Sequence, residues 1–254
     1  MKKLFFLSLF LLAGCASFPE PRQLTYETVD GGEFKVAAWS KITRKGAPLH
    51  LYIEGDGFAW RNRYTPSSNP TPRKPMLLNL ADADDTANIV YLARPCQYVF
   101  SDKCAVPYWT IERFAPEIVD SVLNAAKIFI ERAQAKQVVL IGYSGGGVVS
   151  GWLAAHLPQT AKWITVAGVV DDAAWTAYHG DTPLERSVPL REMTGKLSKI
   201  PQIHYVGAKD TVVPPSLIET FVGSYDDPST ARIIVEPDAT HTTGWTPDIL
   251  RGSF

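Results

Sequence analysis

The sequence predicts an α/β fold, built on a mostly parallel, doubly wound sheet with an N-terminal antiparallel hairpin and helices on both faces. From residue 49 onward, short apolar runs alternate with stretches of helical spacing, the pattern of β-α units. Upstream, two β-rich runs at residues 24–29 and 34–39 flank Asp-Gly-Gly-Glu, which is a hairpin signal. The 254 residues are 46% apolar and 20% charged, which suits one globular domain with a substantial core.

The chain begins with the layout of a secretory signal. Lys2 and Lys3 precede an apolar run over residues 4–13 that is too short to span a bilayer. The run ends in Leu-Ala-Gly-Cys at Cys15, which resembles the lipobox of bacterial lipoproteins. The resemblance implies that residues 1–14 are a signal peptide and that Cys15 carries lipid. An incidental cysteine after a hydrophobic segment is the alternative.

Residues 15–23 then form a lipidated tether, and residues 24–254 a single domain. Residues 16 and 17 are alanine and serine, so the aspartate that retains such lipoproteins at the inner membrane is absent. The expected location is therefore the bacterial cell envelope, with a lipid anchor in the outer membrane.

The remaining elements follow from the local patterns. Strands are predicted at residues 49–53, 89–93, 138–141, 163–167, 203–206 and 233–235. Helices are predicted at residues 76–85, from Pro116 to about residue 133, at 145–157 and at 214–222. The proline-rich residues 59–75 and residues 94–109 are predicted loops, and the irregular residues 170–200 a short cap-like insert.

One stretch joins a strand to a helix through a Gly-x-Ser-x-Gly motif. Residues 138–147 read Val-Val-Leu-Ile-Gly-Tyr-Ser-Gly-Gly-Gly, and this context makes Ser144 a candidate nucleophile. Gly142 and Gly146 lack the Cβ atoms that would clash in so sharp a turn. A close-packed turn of small residues is the alternative. A phosphate cradle fits poorly, because no Gly-x-Gly-x-x-Gly or Gly-Lys-Ser/Thr pattern is present.

Two further polar residues follow predicted strands. Asp210 comes just after the strand at 203–206, and His241 after the strand at 233–235. Reactive groups gather at the carboxyl ends of parallel strands, and the chain order Ser144, Asp210, His241 is the one that α/β-hydrolases use. Asp210 could instead cap the next helix, with Asp171 or Asp172 as the acid.

In these motifs the chain resembles the α/β-hydrolase superfamily over residues 24–254. The resemblance implies an esterase- or lipase-like serine hydrolase in which Ser144 is the nucleophile, His241 the general base and Asp210 the residue that orients His241. An imidazole must accept the serine proton before the hydroxyl becomes a good nucleophile, and a carboxylate stabilises the imidazolium that forms. The expected substrates are esters, with thioesters and amides left open.

The same chemistry needs donors for an oxyanion. One N–H is expected from Gly145, and the second from Asp56 or Gly57 in the Glu-Gly-Asp-Gly-Phe stretch at residues 54–58, where relatives often show His-Gly. A carboxylate of Asp56 close to the site would oppose an oxyanion. Aromatic side chains are expected to line an apolar pocket: Phe58, Tyr143, Trp175 and Trp245.

Cysteine content and charge limit the cofactors and partners. Once Cys15 is lipidated, Cys96 and Cys104 remain as an even pair that can form a disulfide in an oxidising compartment or stay as free thiols.

No metal or cofactor signature is present. The net charge of −1 and the lack of a basic face make nucleic acid an unlikely partner. The expected partners are a small or lipid-like ester and, through the anchor, a membrane.

A second function class remains open from the sequence alone. Surface lipoproteins often serve as adhesins or assembly factors, so the chain could keep the fold as a non-catalytic binding module. A complete set of serine, acid and histidine in the order of a hydrolase weighs against that interpretation.

Overall fold

An eight-stranded sheet forms the centre of the computed structural model, which describes residues 18–254. The predicted signal peptide and Cys15 lie outside the described residues. The strands follow the order β1-β2-β6-β3-β7-β8-β9-β10. From β6 to β10 all neighbours are parallel, whereas β1–β2 and β2–β6 are antiparallel. The strands are β1 Thr25–Asp30, β2 Lys35–Ile42, β3 Leu49–Ile53, β4 Trp60–Asn62, β5 Thr65–Pro66, β6 Asn88–Leu92, β7 Val138–Tyr143, β8 Thr160–Val166, β9 Gln202–Gly207 and β10 Ala231–Glu236.

Helices cover both faces of this sheet, as the sequence predicts. One face carries the larger apolar core, which includes buried side chains of α2, α3, α5 and α6. The other face packs against α1 and the chain around Trp245 and Leu250. The helices are α1 Met76–Asp82, α2 Pro116–Ala133, α3 Gly146–His156, α4 Asp172–His179, α5 Thr194–Leu197 and α6 Pro215–Gly223. Short 3-10 helices lie at Val106–Trp109, Leu190–Met193, Pro228–Thr230 and Pro247–Leu250.

The central strands are mostly apolar because helices cover them on both sides, and His50 and Asn88 are buried polar exceptions. Every residue of β3 and β6 is buried, as are the first five residues of β7. These strands therefore lack the alternation of polar and apolar residues that marks a half-exposed sheet. The parallel arrangement also brings the carboxyl ends of β3, β6, β7, β8, β9 and β10 to one edge of the sheet.

Some predicted boundaries were wrong. The strand predicted at residues 163–167 begins three residues earlier, at Thr160. The loop predicted at residues 59–75 contains the small antiparallel hairpin of β4 and β5. The insert at residues 170–200 contains a regular helix, α4, whose N-cap Asp171 accepts a hydrogen bond from the Ala174 N–H. A polar N-cap before an amphipathic stretch is readable in the sequence.

Two further features are a disulfide and the hydropathy of the helices. Cys96 and Cys104 form a disulfide that closes the loop after β6, so the alternative of two free thiols is wrong for this structure. Within residues 18–254, no helix combines the length and the apolar character needed to cross a membrane.

Candidate active site

Ser144 lies on a sharp turn between β7 and α3. Its φ angle of +49° is in the left-handed region, which non-glycine residues seldom adopt. The turn needs glycine on both sides. A Cβ atom on Gly142 would lie 2.4 Å from the carbonyl oxygen of Gly146, and one on Gly146 would lie 2.3 Å from the carbonyl oxygen of Ile53. The two glycines therefore let the turn pack against β3 and direct the Ser144 side chain outward.

The structure brings the three predicted polar side chains into contact. The Oγ of Ser144 lies 2.9 Å from Nε2 of His241, and Nδ1 of His241 lies 2.9 Å from Oδ2 of Asp210. An ionised carboxylate only accepts, so the Nδ1–H donates to Asp210 and Nε2 is left to accept from the serine hydroxyl. These residues follow the carboxyl ends of β7, β9 and β10, and β8 lies between β7 and β9 in the sheet.

Asp210 is held rigidly in this arrangement. Its side chain is fully buried, and its other oxygen, Oδ1, accepts hydrogen bonds of 2.8 Å from the N–H groups of Val212 and Val213. Val212 and Val213 lie in the turn before α6, whose N-cap is Pro214 without a side-chain hydrogen bond, so the alternative that Asp210 caps this helix is wrong. The backbone donors fix the position of the oxygen that faces His241.

His241 is positioned through its own backbone as well. The hydroxyl of Tyr143 and the indole N–H of Trp245 both donate to the carbonyl oxygen of His241, each at 3.1 Å. The Tyr143 ring also stacks on the imidazole, with centroids 5.5 Å apart. Burial raises the pKa of Tyr143 and keeps its hydroxyl a donor. Trp245, expected in the pocket, is instead buried behind His241.

Three backbone N–H groups near Ser144 are available to a ligand. In residues 54–58, the N–H groups of Glu54, Gly55 and Phe58 donate to protein oxygens. Those of Asp56, Gly57 and Gly145 form no hydrogen bond with any described residue. Residues 54–58 follow β3 directly, and a Cβ atom on Gly55 would lie only 3.1 Å from that of Ser144. The predicted oxyanion donors are thus free and close to the serine.

The Asp56 carboxylate reaches the site and is neutralised there. A Cβ atom on Gly145 would lie 2.1 Å from Oδ1 of Asp56, so the carboxylate packs directly against Gly145. Oδ1 lies 3.3 Å from Nη1 of Arg94, and Oδ2 lies 2.7 Å from Nη1 of Arg113. Two guanidinium groups therefore pair with this one carboxylate. Coulomb attraction at such short range offsets the charge of Asp56.

Neither arginine was predicted from the sequence as a site residue. Arg94 begins the loop after β6, and the rule that polar residues at strand ends gather at one edge applies to it. Burial lowers the pKa of Arg94 to about 10, which still leaves its guanidinium charged at neutral pH. Arg113 lies in the loop before α2, with no local pattern that distinguishes it. Only the folded chain reveals its contact with Asp56.

Glu54 introduces a second carboxyl group behind the same loop. Its oxygens accept from the Gly55 N–H at 2.8 Å and from the Tyr91 hydroxyl at 2.6 Å. Burial raises the pKa of Glu54 to about 7, against the lowering effect of these hydrogen bonds and of Arg94. The charge behind the loop therefore changes near neutral pH.

Ser144 lies between two cavities of different size. The larger, about 420 Å³, is open and is lined by Phe58, Tyr143, Arg73 and His241, among others. The smaller has room for only about 20 Å³ and is lined by Trp175, Phe114, Leu184 and Arg113, among others. The predicted pocket residues Phe58 and Tyr143 thus border one cavity, and Trp175 the other.

The alternative candidates lie elsewhere. Asp171 caps α4 and forms an ion pair with Arg191 at 3.1 Å, so it does not contact His241. The pKa of Asp172 is raised, chiefly by burial, and neither residue is bonded to a histidine. His204 is fully buried in β9, and burial lowers its pKa to about 3. Among residues 18–254, no cluster of three His, Cys, Asp or Glu side chains could hold a metal ion.

Solved structures of low sequence identity share this architecture. Est1E from Butyrivibrio proteoclasticus aligns with a TM-score of 0.63 and 12% identity over 90% of this chain and 95% of that chain. XC6422 from Xanthomonas campestris, an α/β serine hydrolase without a lid, aligns with a TM-score of 0.57 and 15% identity over 93% and 94%. Acylaminoacyl peptidase from Pyrococcus horikoshii aligns with a TM-score of 0.62 and 17% identity over 86% of this chain but only 37% of that chain.

Comparisons by sequence add nothing to these neighbours. No protein-family model matches the chain, and no curated protein is similar to it. The sheet order, the parallel strands and the neighbouring structures therefore define the fold. This chain has the α/β-hydrolase fold.

Proposed function

We propose that this protein is a serine hydrolase that cleaves an ester through an acyl-enzyme intermediate. The observation that carries the proposal is the pair of 2.9 Å contacts that join Ser144, His241 and Asp210 at one edge of the sheet. In the proposed mechanism, Oγ of Ser144 attacks the carbonyl carbon while Nε2 of His241 takes the hydroxyl proton.

The oxyanion that forms is stabilised by backbone donors. The proposed donors are the unpaired N–H groups of Gly145 and of Asp56 or Gly57, and Arg94 and Arg113 offset the charge of the Asp56 carboxylate. His241 then gives its proton to the leaving alcohol. Water, deprotonated by the same imidazole, attacks the acyl group and releases the acid together with free Ser144.

The two cavities support a substrate with one short and one long side. A space of about 20 Å³ beside Trp175 holds only a small group, whereas the open cavity of about 420 Å³ beside Phe58 accepts a large one. Est1E, one of the structural neighbours, has been solved with ferulic acid bound. For this chain we propose a carboxylic ester with a compact group on the Trp175 side, with thioesters and amides as chemically equivalent alternatives.

We also propose that the mature chain is anchored by lipid at Cys15 in the bacterial cell envelope, in the outer membrane. The support is the charged and then apolar layout of residues 1–14 and the Leu-Ala-Gly-Cys sequence. Incorporation of an alkyne-tagged fatty acid tests this proposal. The label should appear in the wild-type chain and disappear in Cys15→Ser.

A fluorophosphonate probe tests the catalytic proposal. Such probes phosphonylate only serines that are activated by a neighbouring base, so we expect about one label per chain on Ser144. Labelling should vanish in Ser144→Ala and fall by at least about a hundredfold in His241→Ala. Ser150→Ala is the matched control, because its hydroxyl is buried against Trp163 and Gly147. A folded wild-type chain that never labels would instead support a non-catalytic binding module.

A further inference from the structure

The loop at residues 59–75 is basic and exposes aromatic surface. It carries Arg61, Arg63, Arg73 and Lys74 and no acidic residue, in a chain whose net charge is −1. Tyr64 lies at the tip of the β4–β5 hairpin and is 84% exposed, the highest value among the exposed large apolar or aromatic side chains. A tyrosine with basic neighbours is a typical composition of a surface that meets lipid headgroups.

This loop lies between the start of the described chain and Ser144. A cavity of about 830 Å³ is lined on one side by residues 18–21 and on the other by Phe58, Arg61 and Arg73. Phe58 and Arg73 also line the cavity that contains Ser144. The Arg73 guanidinium lies 3.5 Å from the centroid of the Phe58 ring, so this stacked pair is the wall shared by the two cavities.

The acidic groups that face this surface are few and mostly paired. Asp82 accepts hydrogen bonds from the N–H groups of residues 22 and 23, and lies 3.7 Å from Nε of Arg22. Asp181 lies 3.3 Å from Arg63, an exposed contact that salt screens easily. Glu20 is the remaining carboxylate at the cavity. The basic side chains at this surface therefore outnumber the acidic ones: they are Arg22, Arg61, Arg63, Arg73 and Lys74, against Glu20, Asp82 and Asp181.

Cys15 is close to this surface in the chain. Only two residues separate Cys15 from Phe18, so an extended chain reaches about 10 Å from one to the other. Phe18 packs against Tyr26, Trp39 and Tyr98, so the chain enters the fold beside the same cavity. A lipid at Cys15 therefore places this edge of the molecule next to the bilayer.

We propose that residues 59–75 dock on an anionic phospholipid membrane and that Ser144 receives its ester substrate from that membrane. The docking part stands on the charge, exposure and position of the loop. The substrate part rests on the proposed hydrolase function. Arg61 and Arg63 contact phosphate oxygens, Tyr64 enters the headgroup region, and the Phe58–Arg73 wall separates the bilayer side from the cavity at Ser144.

A fluorophore that responds to polarity tests the docking directly. It is attached to the full-length chain at Tyr64→Cys or, as the matched control, at Lys45→Cys, an exposed position in the turn before β3 at the opposite edge of the sheet. Vesicles of phosphatidylglycerol and phosphatidylcholine should increase emission severalfold at position 64 and leave position 45 unchanged. A response at position 45 alone, or at neither position, would overturn the proposal.

Hydrolysis provides the second measurement. In Arg61→Glu/Arg63→Glu, we expect cleavage of a fluorogenic ester embedded in phosphatidylglycerol vesicles to fall about fivefold or more, and cleavage of a soluble aryl ester to stay within about twofold. Lys45→Glu/Lys136→Glu makes the same change of charge at the far edge and should alter neither rate. Equal vesicle rates for both double variants would contradict the proposal. If the wild-type chain cleaves no ester, the hydrolase proposal fails, while the fluorophore still decides the docking.

Discussion

Asp56 shows how a residue that is unfavourable on its own can be accommodated beside a reacting centre. Its carboxylate packs against Gly145, where negative charge would raise the energy of an oxyanion. Arg94 and Arg113 each contact one of its oxygens, and the Arg94 side chain is only 5% exposed. The three side chains therefore act together: the arginines offset the charge of Asp56, and Asp56 compensates the arginine charge inside the protein.

Removing the Asp56 charge should destabilise the fold. In Asp56→Asn the loop keeps its shape, but the buried guanidinium of Arg94 loses its charge partner. We expect the free energy of unfolding to fall by about 3 kcal/mol, measured by urea denaturation. Asp30→Asn is the matched control, since it breaks an exposed pair with Lys35 and should change stability little. Equal stability of the two variants would show that the pairing with Arg94 contributes nothing.

Trp175 should determine the size of the group accepted in the small cavity. Its indole N–H donates to the carbonyl oxygen of Val212 at 2.8 Å, which holds the ring beside Ser144. Trp175→Ala removes most of one wall, so the ratio of kcat/KM for hexanoyl over acetyl aryl esters should rise about tenfold or more. Phe100→Ala, which removes a half-exposed ring that lines neither cavity at Ser144, should leave the ratio unchanged. An unchanged ratio in Trp175→Ala would show that the acyl group binds elsewhere.

Among the structural elements, the loop of residues 54–58 makes several of the contacts that shape the site. It begins where β3 ends, lies against the turn at Ser144, and leaves two N–H groups free. The carboxyl of Glu54 supports it from below through the Gly55 N–H. Because the pKa of Glu54 is raised to about 7, the protonation of this support changes within the physiological range.

Glu54→Gln should change the pH dependence of stability. The pKa of Glu54 is 4.5 in the unfolded reference and about 7 in the fold, so between these values the folded chain holds a proton that the unfolded chain releases. Wild-type stability therefore falls as pH rises through this window, and Gln removes that loss. The variant should gain roughly 3 kcal/mol relative to wild type between pH 4.5 and pH 8.

Urea denaturation across this pH range is the measurement. Glu219→Gln, an exposed position on α6, is the control, and its stability difference from wild type should be independent of pH. A pH-independent difference in Glu54→Gln as well would mean that Glu54 is ionised throughout. Such a result would contradict the raised pKa of Glu54.

At the scale of the whole molecule, the sequence was sufficient where local patterns carry the information. The mostly parallel sheet and its helical layers follow from apolar runs and their spacing, and the convergence of Ser144, Asp210 and His241 follows from placing each residue at a strand end. Their catalytic roles remain a prediction. The hairpin of β4 and β5 was missed, because strands of two or three residues are too short to show an alternating pattern.

Contacts between distant loops were not predictable from these patterns. Arg113 meets Asp56 across 57 positions of sequence, and Tyr143 meets the His241 carbonyl across 98. Neither composition nor spacing predicts these contacts, since each depends on how two loops pack at the edge of the sheet. The burial that raises the pKa of Glu54 is equally a property of the assembled fold.

The position of β10 has a consequence for biosynthesis. This strand is the last in the chain and lies at the border of the sheet, and the loop after it carries His241. A polypeptide that emerges amino terminus first contains Ser144 long before its base arrives. Under the proposed mechanism, a nascent or partly exported chain is catalytically silent. In that mechanism activity begins only when the final strand has docked, so a chain exported as proposed would spare the lipids of the membrane that it crosses.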